Sequence, residues 1–131
     1  MDRHVANAQA VAEFLEAHPK VERVNFPGLA SNKYHALAQR YFPKGPGAIL
    51  SADFVGGQEA ALRVLERLRI FDYMVNVGDA KSLAVHPSSS THFGLSEEEK
   101  ASAGVFDNTL RFSVGIEDTD DLIADLEQAL A

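Results

Sequence analysis

Apolar and polar positions along the chain repeat at two periods, and the switches between them divide it into elements. Over residues 2–18, Val5, Ala8, Val11, Ala12 and Leu15 recur at helical spacing, with Asp2 placed to cap the start. His18-Pro19 closes that helix, because the residue before a proline resists the α region. "VERVNF" (21–26) reads as a short strand and "PGL" (27–29) as a turn. Ser31 can cap a second helix over 32–42, with Tyr34, Leu37, Ala38 and Tyr41 on one face. After the break "KGPG" (44–47), "AILSADF" (48–54) reads as a strand. "VGGQ" (55–58) leads into a helix over 57–69 with a stripe of Ala60, Ala61, Val64, Leu65 and Leu68. Residues 73–87 hold one or two short strands around a Gly-Asp turn, and "PSSSTHFG" (87–94) is a polar loop. Ser96 and Glu99 form a possible capping box for a helix over 96–103. Residues 118–131 form the final helix, with acids in its first turn where the helix dipole favours them.

Just before that helix stands the most regular stretch, "TLRFSVGIE" (109–117). Leu110, Phe112, Val114 and Ile116 fall on one side of a strand, and Thr109, Arg111, Ser113 and Glu117 on the other. Arg111 is the oddity, because a guanidinium cannot lose its charge. It must meet water, an acidic side chain or an anionic ligand.

Short strands separated by helices with single apolar stripes predict an α+β fold. The simplest solution is a two-layer sandwich, a small mostly antiparallel or mixed sheet covered by helices on one face. The loop at 87–94 does not resemble a βαβ crossover, so a doubly wound fold is not predicted. No internal repeat or low-complexity linker divides residues 1–131, which read as a single domain long enough to bury a core.

Composition narrows the function classes. The formal net charge of −7 and the absence of a basic patch argue against nucleic-acid binding. With no cysteine, neither a disulfide framework nor a thiolate metal site can form. No apolar run reaches the length of a membrane span, and residues 1–20 do not read as a signal peptide. A cytoplasmic, non-membrane protein is the expectation.

Three chemistries can be tried on the loop residues. Ser88, Ser89 and Ser90 stand near His86 and His92, but there is no G-x-S-x-G elbow, and adjacency in sequence does not make a triad. The two histidines lack a second ligand pair, so a metal site is not expected. "GPG" and "VGG" are too sparse to cradle a phosphate. Arg111 keeps two readings: a strand arginine paired to a surface acid, or a carboxylate clamp whose parallel N–H donors match a carboxylate as lysine cannot.

Four motifs in order, "VNFPGL" (24–29), "GAILSADFVGG" (47–57), "NVGDAKSLAVHPSSSTH" (76–92) and "LRFSVGIEDTDDLIADLEQAL" (110–130), resemble the C-terminal small domain of the Cys/Met-metabolism family of pyridoxal-phosphate (PLP) enzymes. The resemblance covers essentially the whole chain and implies the small-domain fold of fold-type I PLP transferases. "NVGDAKSL" is most like the O-acetylhomoserine sulfhydrylase branch. Lyase and cystathionine-synthase branches typically carry Ser at the position of Asn76 and Glu at that of Lys81.

By motif match, the family's substrate-carboxylate arginine is Arg111, and its second carboxylate contact falls at Asn76 and Val77. Thr91 matches a threonine near the substrate pocket. The resemblance implies PLP as cofactor, O-acetyl-L-homoserine as substrate, homocysteine and acetate as products with sulfide, and a tetramer for the intact enzyme. It also implies that a large domain carries the Schiff-base lysine. Lys20, Lys33, Lys44, Lys81 and Lys100 all stand in the wrong sequence context for that role, so this segment alone is expected to be inactive. The alternatives are another family member of the cystathionine γ-synthase, γ-lyase or methionine γ-lyase type, or a non-catalytic interaction module. A small hydrolase using the Ser/His loop is a third.

Overall fold

The structure, a computed structural model, describes residues 1–131. In chain order the elements are α1 (Asp2–Ala17), β1 (Val21–Asn25), α2 (His35–Tyr41), β2 (Ile49–Phe54), α3 (Gly57–Arg67), β3 (Asp72–Tyr73), β4 (Leu83–Val85), α4 (Glu97–Ser102), β5 (Thr109–Ser113) and α5 (Thr119–Leu130). The strands form one sheet in the order β1-β2-β5-β4-β3. β1–β2, β2–β5 and β5–β4 pair antiparallel, and β3 runs parallel to β4 at one edge. The expected α+β architecture with a mixed sheet is what forms, and no helix is long and apolar enough to cross a membrane.

One face of the sheet carries the core. Leu50, Ala52 and Phe54 of β2, Leu110 and Phe112 of β5, Val114 just beyond it, and Ala84 of β4 pack with Ala8, Val11, Ala12 and Leu15 of α1. Ala61 and Val64 of α3 and Leu122, Leu126, Ala129 and Leu130 of α5 join the cluster, with Phe26, Leu29 and Phe71 from the connecting segments. Phe71 meets Phe112 edge-on, with ring centroids 5.5 Å apart. Burial of this size is what makes the fold stable, so truncating fully buried Phe112 to Ala should cost about 3–5 kcal/mol.

Several boundaries differ from the sequence expectation, each for a local reason. Asp2 lies inside α1 rather than capping it; Met1 is the cap position and makes no side-chain cap bond. α2 begins only at His35, because Ser31 is bonded instead to the Glu16 carboxylate of α1 and cannot cap. Of the face expected to be buried on α2, only Ala38 is; Tyr41 is 63% exposed. β5 ends at Ser113, and Ile116 is 50% exposed, so the alternation ends where the chain leaves the ladder.

α3 stops at Arg67, where Leu68 leaves the helical region. The buried Asp125 carboxylate of α5 then accepts the backbone N–H groups of Arg69, Ile70 and Phe71, so the chain cannot return to a helix there. At the other end, Gly56 holds a left-handed φ of 101° that turns β2 into α3. The capping box is present: Ser96 Oγ accepts from the Glu99 N–H and Glu99 accepts from the Ser96 N–H. The Ser96 N–H first, then the Ser96 side chain, holds the Glu99 carboxyl below its ordinary value of 4.5.

Candidate functional site

The second face of the sheet carries polar side chains in cross-strand rows. One row is Arg23–Asp53–Thr109, and the next is Asn25–Ser51–Arg111–Val85. The first row closes on itself. Arg23 Nη2 and Nε lie 2.8 and 2.9 Å from Asp53 Oδ2, and Thr109 Oγ1 donates to Asp53 Oδ1 at 2.6 Å. Both carboxylate oxygens of Asp53 are therefore taken.

Arg111 sits one step along the same face, on the central strand and half-buried, between Ser51 and Val85. None of the ion pairs of the structure includes it. It lines a cavity of about 300 Å³ shared with Asn25, Ser51, Pro87, His92 and Thr109. No acid and no lysine lines this cavity. An unpaired guanidinium in a cavity without acids can chemically accept an anion, and its fork has the geometry to match a carboxylate. The pairing of Arg111 with a surface acid, one of the two readings of the sequence, does not occur.

His92 is the other ionisable group of the cavity. Its backbone N–H donates to the Pro87 carbonyl at 2.8 Å, and its Nδ1 lies 2.8 Å from Thr91 Oγ1. Thr91 itself is exposed and does not line the cavity. Asn76 and Val77 lie on the loop between β3 and β4, at the sheet edge two strands from β5, and also stand outside the cavity. Asn76 Oδ1 accepts the Val77 N–H at 2.8 Å, Asn76 Nδ2 donates to Asp79 Oδ2 at 3.2 Å, and Asp79 Oδ1 accepts the Lys81 N–H at 3.0 Å. The Lys81 N–H first, then the Asn76 amide, holds the Asp79 carboxyl below its ordinary value of 3.8.

The Ser/His loop is a structural knot. His86 is fully buried, with Nε2 2.7 Å from the Asp107 carbonyl oxygen and Nδ1 2.6 Å from Ser89 Oγ. A carbonyl only accepts, so Nε2 carries the proton and Nδ1 takes the Ser89 hydroxyl hydrogen. Ser88 is likewise buried, donating to Asp107 Oδ1 at 2.7 Å and accepting from Lys100 Nζ at 3.1 Å. No group of His, Asp or Glu residues is placed to hold a metal ion.

A PLP site needs a lysine amine that can reach the substrate held at its carboxylate. Lys20 donates to the Leu130 carbonyl at 2.6 Å, Lys33 lies over the Tyr34 ring, Lys81 pairs with Asp72, and Lys100 is bonded to Ser88. Lys44 lines a separate groove between α1 and α2. The residues of this segment do not fit the cofactor, because the Arg111 cavity contains no lysine.

Comparison with known proteins gives this geometry its context. The profile described as "Cys/Met metabolism PLP-dependent enzyme" matches residues 1–131, so the chain belongs to that family. More particularly, it is 49% identical over 131 residues to an O-acetyl-L-homoserine sulfhydrylase of Leptospira meyeri, covering 99% of this chain and 30% of that protein. It is 46% identical to an L-methionine gamma-lyase of Pseudomonas putida, covering 99% of this chain and 32% of that protein. A solved structure of a putative O-acetylhomoserine (thiol)-lyase from Campylobacter jejuni, with N'-pyridoxyl-lysine-5'-monophosphate, superposes with a TM-score of 0.94 at 46% identity. That match covers 98% of this chain and 30% of the solved one. The chain thus spans about a third of the length of the relatives it matches.

Sequence reasoning singled out Arg111 but gave its cavity neighbours no role. Ser51 and Asn25 sit in its cross-strand row. The alternation in "AILSADF" puts Ser51 on the polar side of its strand, so one half of that row was legible before the register was known.

Proposed function

We propose that residues 1–131 are the C-terminal, substrate-carboxylate-holding domain of a PLP-dependent O-acetyl-L-homoserine sulfhydrylase, which converts O-acetylhomoserine and sulfide to homocysteine and acetate. The observation that carries the reading is Arg111: half-buried on the central strand, without an ion-pair partner, over a cavity with no acid. Its two parallel N–H donors would grip the α-carboxylate, while Asn76 and Val77 give the second contact from the β3–β4 loop and Thr91 stands near the pocket. Asn76 has an amide hydrogen to spare, since its Nδ2 donates one bond to Asp79. The Val77 N–H is engaged by Asn76 Oδ1, so a carboxylate at that point would displace an intraloop bond.

In this reading the chain's work is orientation. A rigid strand fixes the carboxylate, and the carboxylate fixes the reacting carbons; orientation of this kind supplies several kcal/mol of a barrier. PLP, the family's cofactor, would be held by a part of the enzyme outside these residues. The second reading is a lyase of the same family, favoured by the 46% identity to an L-methionine gamma-lyase.

The test is a hybrid enzyme in which this chain replaces the matching segment of the Leptospira meyeri sulfhydrylase, with retained cofactor absorbance as the check on folding. Homocysteine formation from O-acetyl-L-homoserine and sulfide, with loss on Arg111→Ala and poor rescue by Arg111→Lys, is the expected result. Undiminished turnover in Arg111→Ala would remove the clamp. Faster γ-elimination from L-methionine than acetate replacement would move the reading to the lyase branch.

A further inference from the structure

The loop that carries Asn76 and Val77 is open to solvent: Asn76, Gly78, Ala80 and Lys81 are exposed, and Val77 is 70% exposed. Its own bonds run from Asn76 to Asp79 to the Lys81 N–H, and Lys81 pairs with Asp72 of β3; all of them stay within residues 72–81 and none reaches β5. A loop held only by such bonds would not keep a fixed position relative to Arg111, two strands away. Something must tie it to β5.

The tie is at Ser82, and it runs to the continuation of the arginine strand. Glu117 Oε1 accepts the Ser82 N–H at 2.7 Å and Oε2 accepts the Ser82 hydroxyl at 2.8 Å. Ser82 Oγ in turn accepts the Gly115 N–H at 2.8 Å, and the Ile116 N–H donates to the Ala80 carbonyl at 2.9 Å. Position 115 has to be glycine for this approach: a Cβ there would collide with the Ala80 carbonyl oxygen and come within 2.7 Å of the Lys81 carbonyl carbon. The anchor is itself fixed. Buried Asn7 of α1 donates to the Gly115 and Glu117 carbonyls at 3.1 and 2.8 Å, and its Oδ1 accepts from Thr119 at 2.6 Å.

We infer that Glu117, through Ser82, is a positioning residue that holds the Asn76–Val77 loop at a fixed place relative to Arg111, making the two halves of the carboxylate site one rigid unit. The inference rests on the proposed carboxylate role of those residues and adds a residue to it. Glu117 touches neither substrate nor cofactor. Its carboxylate acts by accepting two donors from one residue, which Ala cannot do and Gln can do only for one of them.

The hybrid holoenzyme described above allows the test. Glu117→Ala should raise KM for O-acetyl-L-homoserine roughly ten- to hundred-fold with a smaller change in kcat, as expected for a misplaced binding group. Glu117→Gln should recover part of that loss. Hydrogen exchange at the amides of residues 76–82 should accelerate in Glu117→Ala, while the amides of β5 stay protected. Ser82→Ala is a milder variant should Glu117→Ala fail to fold. It should raise KM in the wild-type background and by a smaller factor in the Glu117→Gln background, where the hydroxyl–carboxylate bond is already altered and only the Gly115 N–H bond remains to be lost. Arg111→Ala is the control. If Arg111→Ala is impaired but Glu117→Ala and Ser82→Ala keep KM within twofold, the positioning role is overturned and the carboxylate reading stands. If Arg111→Ala itself keeps its KM and kcat, the carboxylate reading fails and takes the positioning role with it. Unchanged exchange over residues 76–82 in Glu117→Ala would also overturn the tie.

Discussion

Two arginines on one face of the same sheet have opposite fates. Arg23 on β1 faces Asp53 on β2, and their pairing is completed by the Thr109 hydroxyl. Arg111 on β5 faces Ser51 on β2 and Val85 on β4, and no acid reaches it. The difference lies in what the neighbouring strand offers two residues further along. A paired guanidinium beside a buried carboxylate contributes to stability, because its removal strands that carboxylate. An unpaired guanidinium has no such carboxylate to strand, and in the proposed reading it is free to meet the substrate's carboxylate.

The comparison predicts effects of different kind and size. The largest falls on catalysis: Arg111→Ala should lower kcat/KM of the hybrid enzyme by roughly 10²–10³-fold, the loss of about 3–4 kcal/mol for a desolvated charge pair broken on one side. A loss under tenfold would put Arg111 in the same class as Arg23. Next comes Arg23→Ala, which should cost about 1–2 kcal/mol of folding stability, a figure kept small because the Arg23 side chain is 54% exposed to solvent. Urea unfolding would show it as a lower midpoint with an unchanged slope. Arg111→Met should do the reverse, leaving the folding stability where it is or raising it by up to about 1 kcal/mol, with the urea midpoint unchanged or higher. If Arg111→Met destabilised the fold as much as Arg23→Ala, the contrast between the two would disappear.

The smallest effect concerns acid and the β3–β4 loop. The Asp79 carboxyl lies below its ordinary value of 3.8 in the folded chain. A group depressed in this way contributes its stabilisation above 3.8 and loses it only as pH falls through the lower folded value. The Lys81 amide resonance should therefore hold its position as pH is lowered through 3.8 and move only further down. A shift centred at or above 3.8 would show that the Asp79–Lys81 bond does not order the loop.

How much of this was legible follows from the range of the interactions. Arg111 stood out in the sequence because strand alternation is a two-residue pattern, and the stripes of α1 and α3 stood out because helical spacing repeats within one or two turns. The Ser96–Glu99 capping box was readable for the same reason. The misplacements came from partners distant in sequence. Ser31 looked like a helix cap until Glu16 took its hydroxyl, and α3 looked longer until Asp125 took the amides after it. Whether Arg111 was paired depended on register, since a shift of two residues between β2 and β5 would have set Asp53 beside it. The Glu117–Ser82 tie spans 35 residues, and nothing local announces it. Glu117 was visible only as a polar position in phase with Arg111.

The central claim is that Arg111 meets a carboxylate, and removing that carboxylate from the substrate tests it most directly. The hybrid enzyme and its Arg111→Ala variant would be compared on O-acetyl-L-homoserine and on its analogue lacking the α-carboxylate, O-acetyl-3-amino-1-propanol. The account predicts that the wild-type arginine favours the carboxylate-bearing substrate by roughly 10²-fold or more in kcat/KM, and that Arg111→Ala abolishes the preference, because the two deletions remove the same contact. Equal sensitivity of both substrates to Arg111→Ala would contradict it.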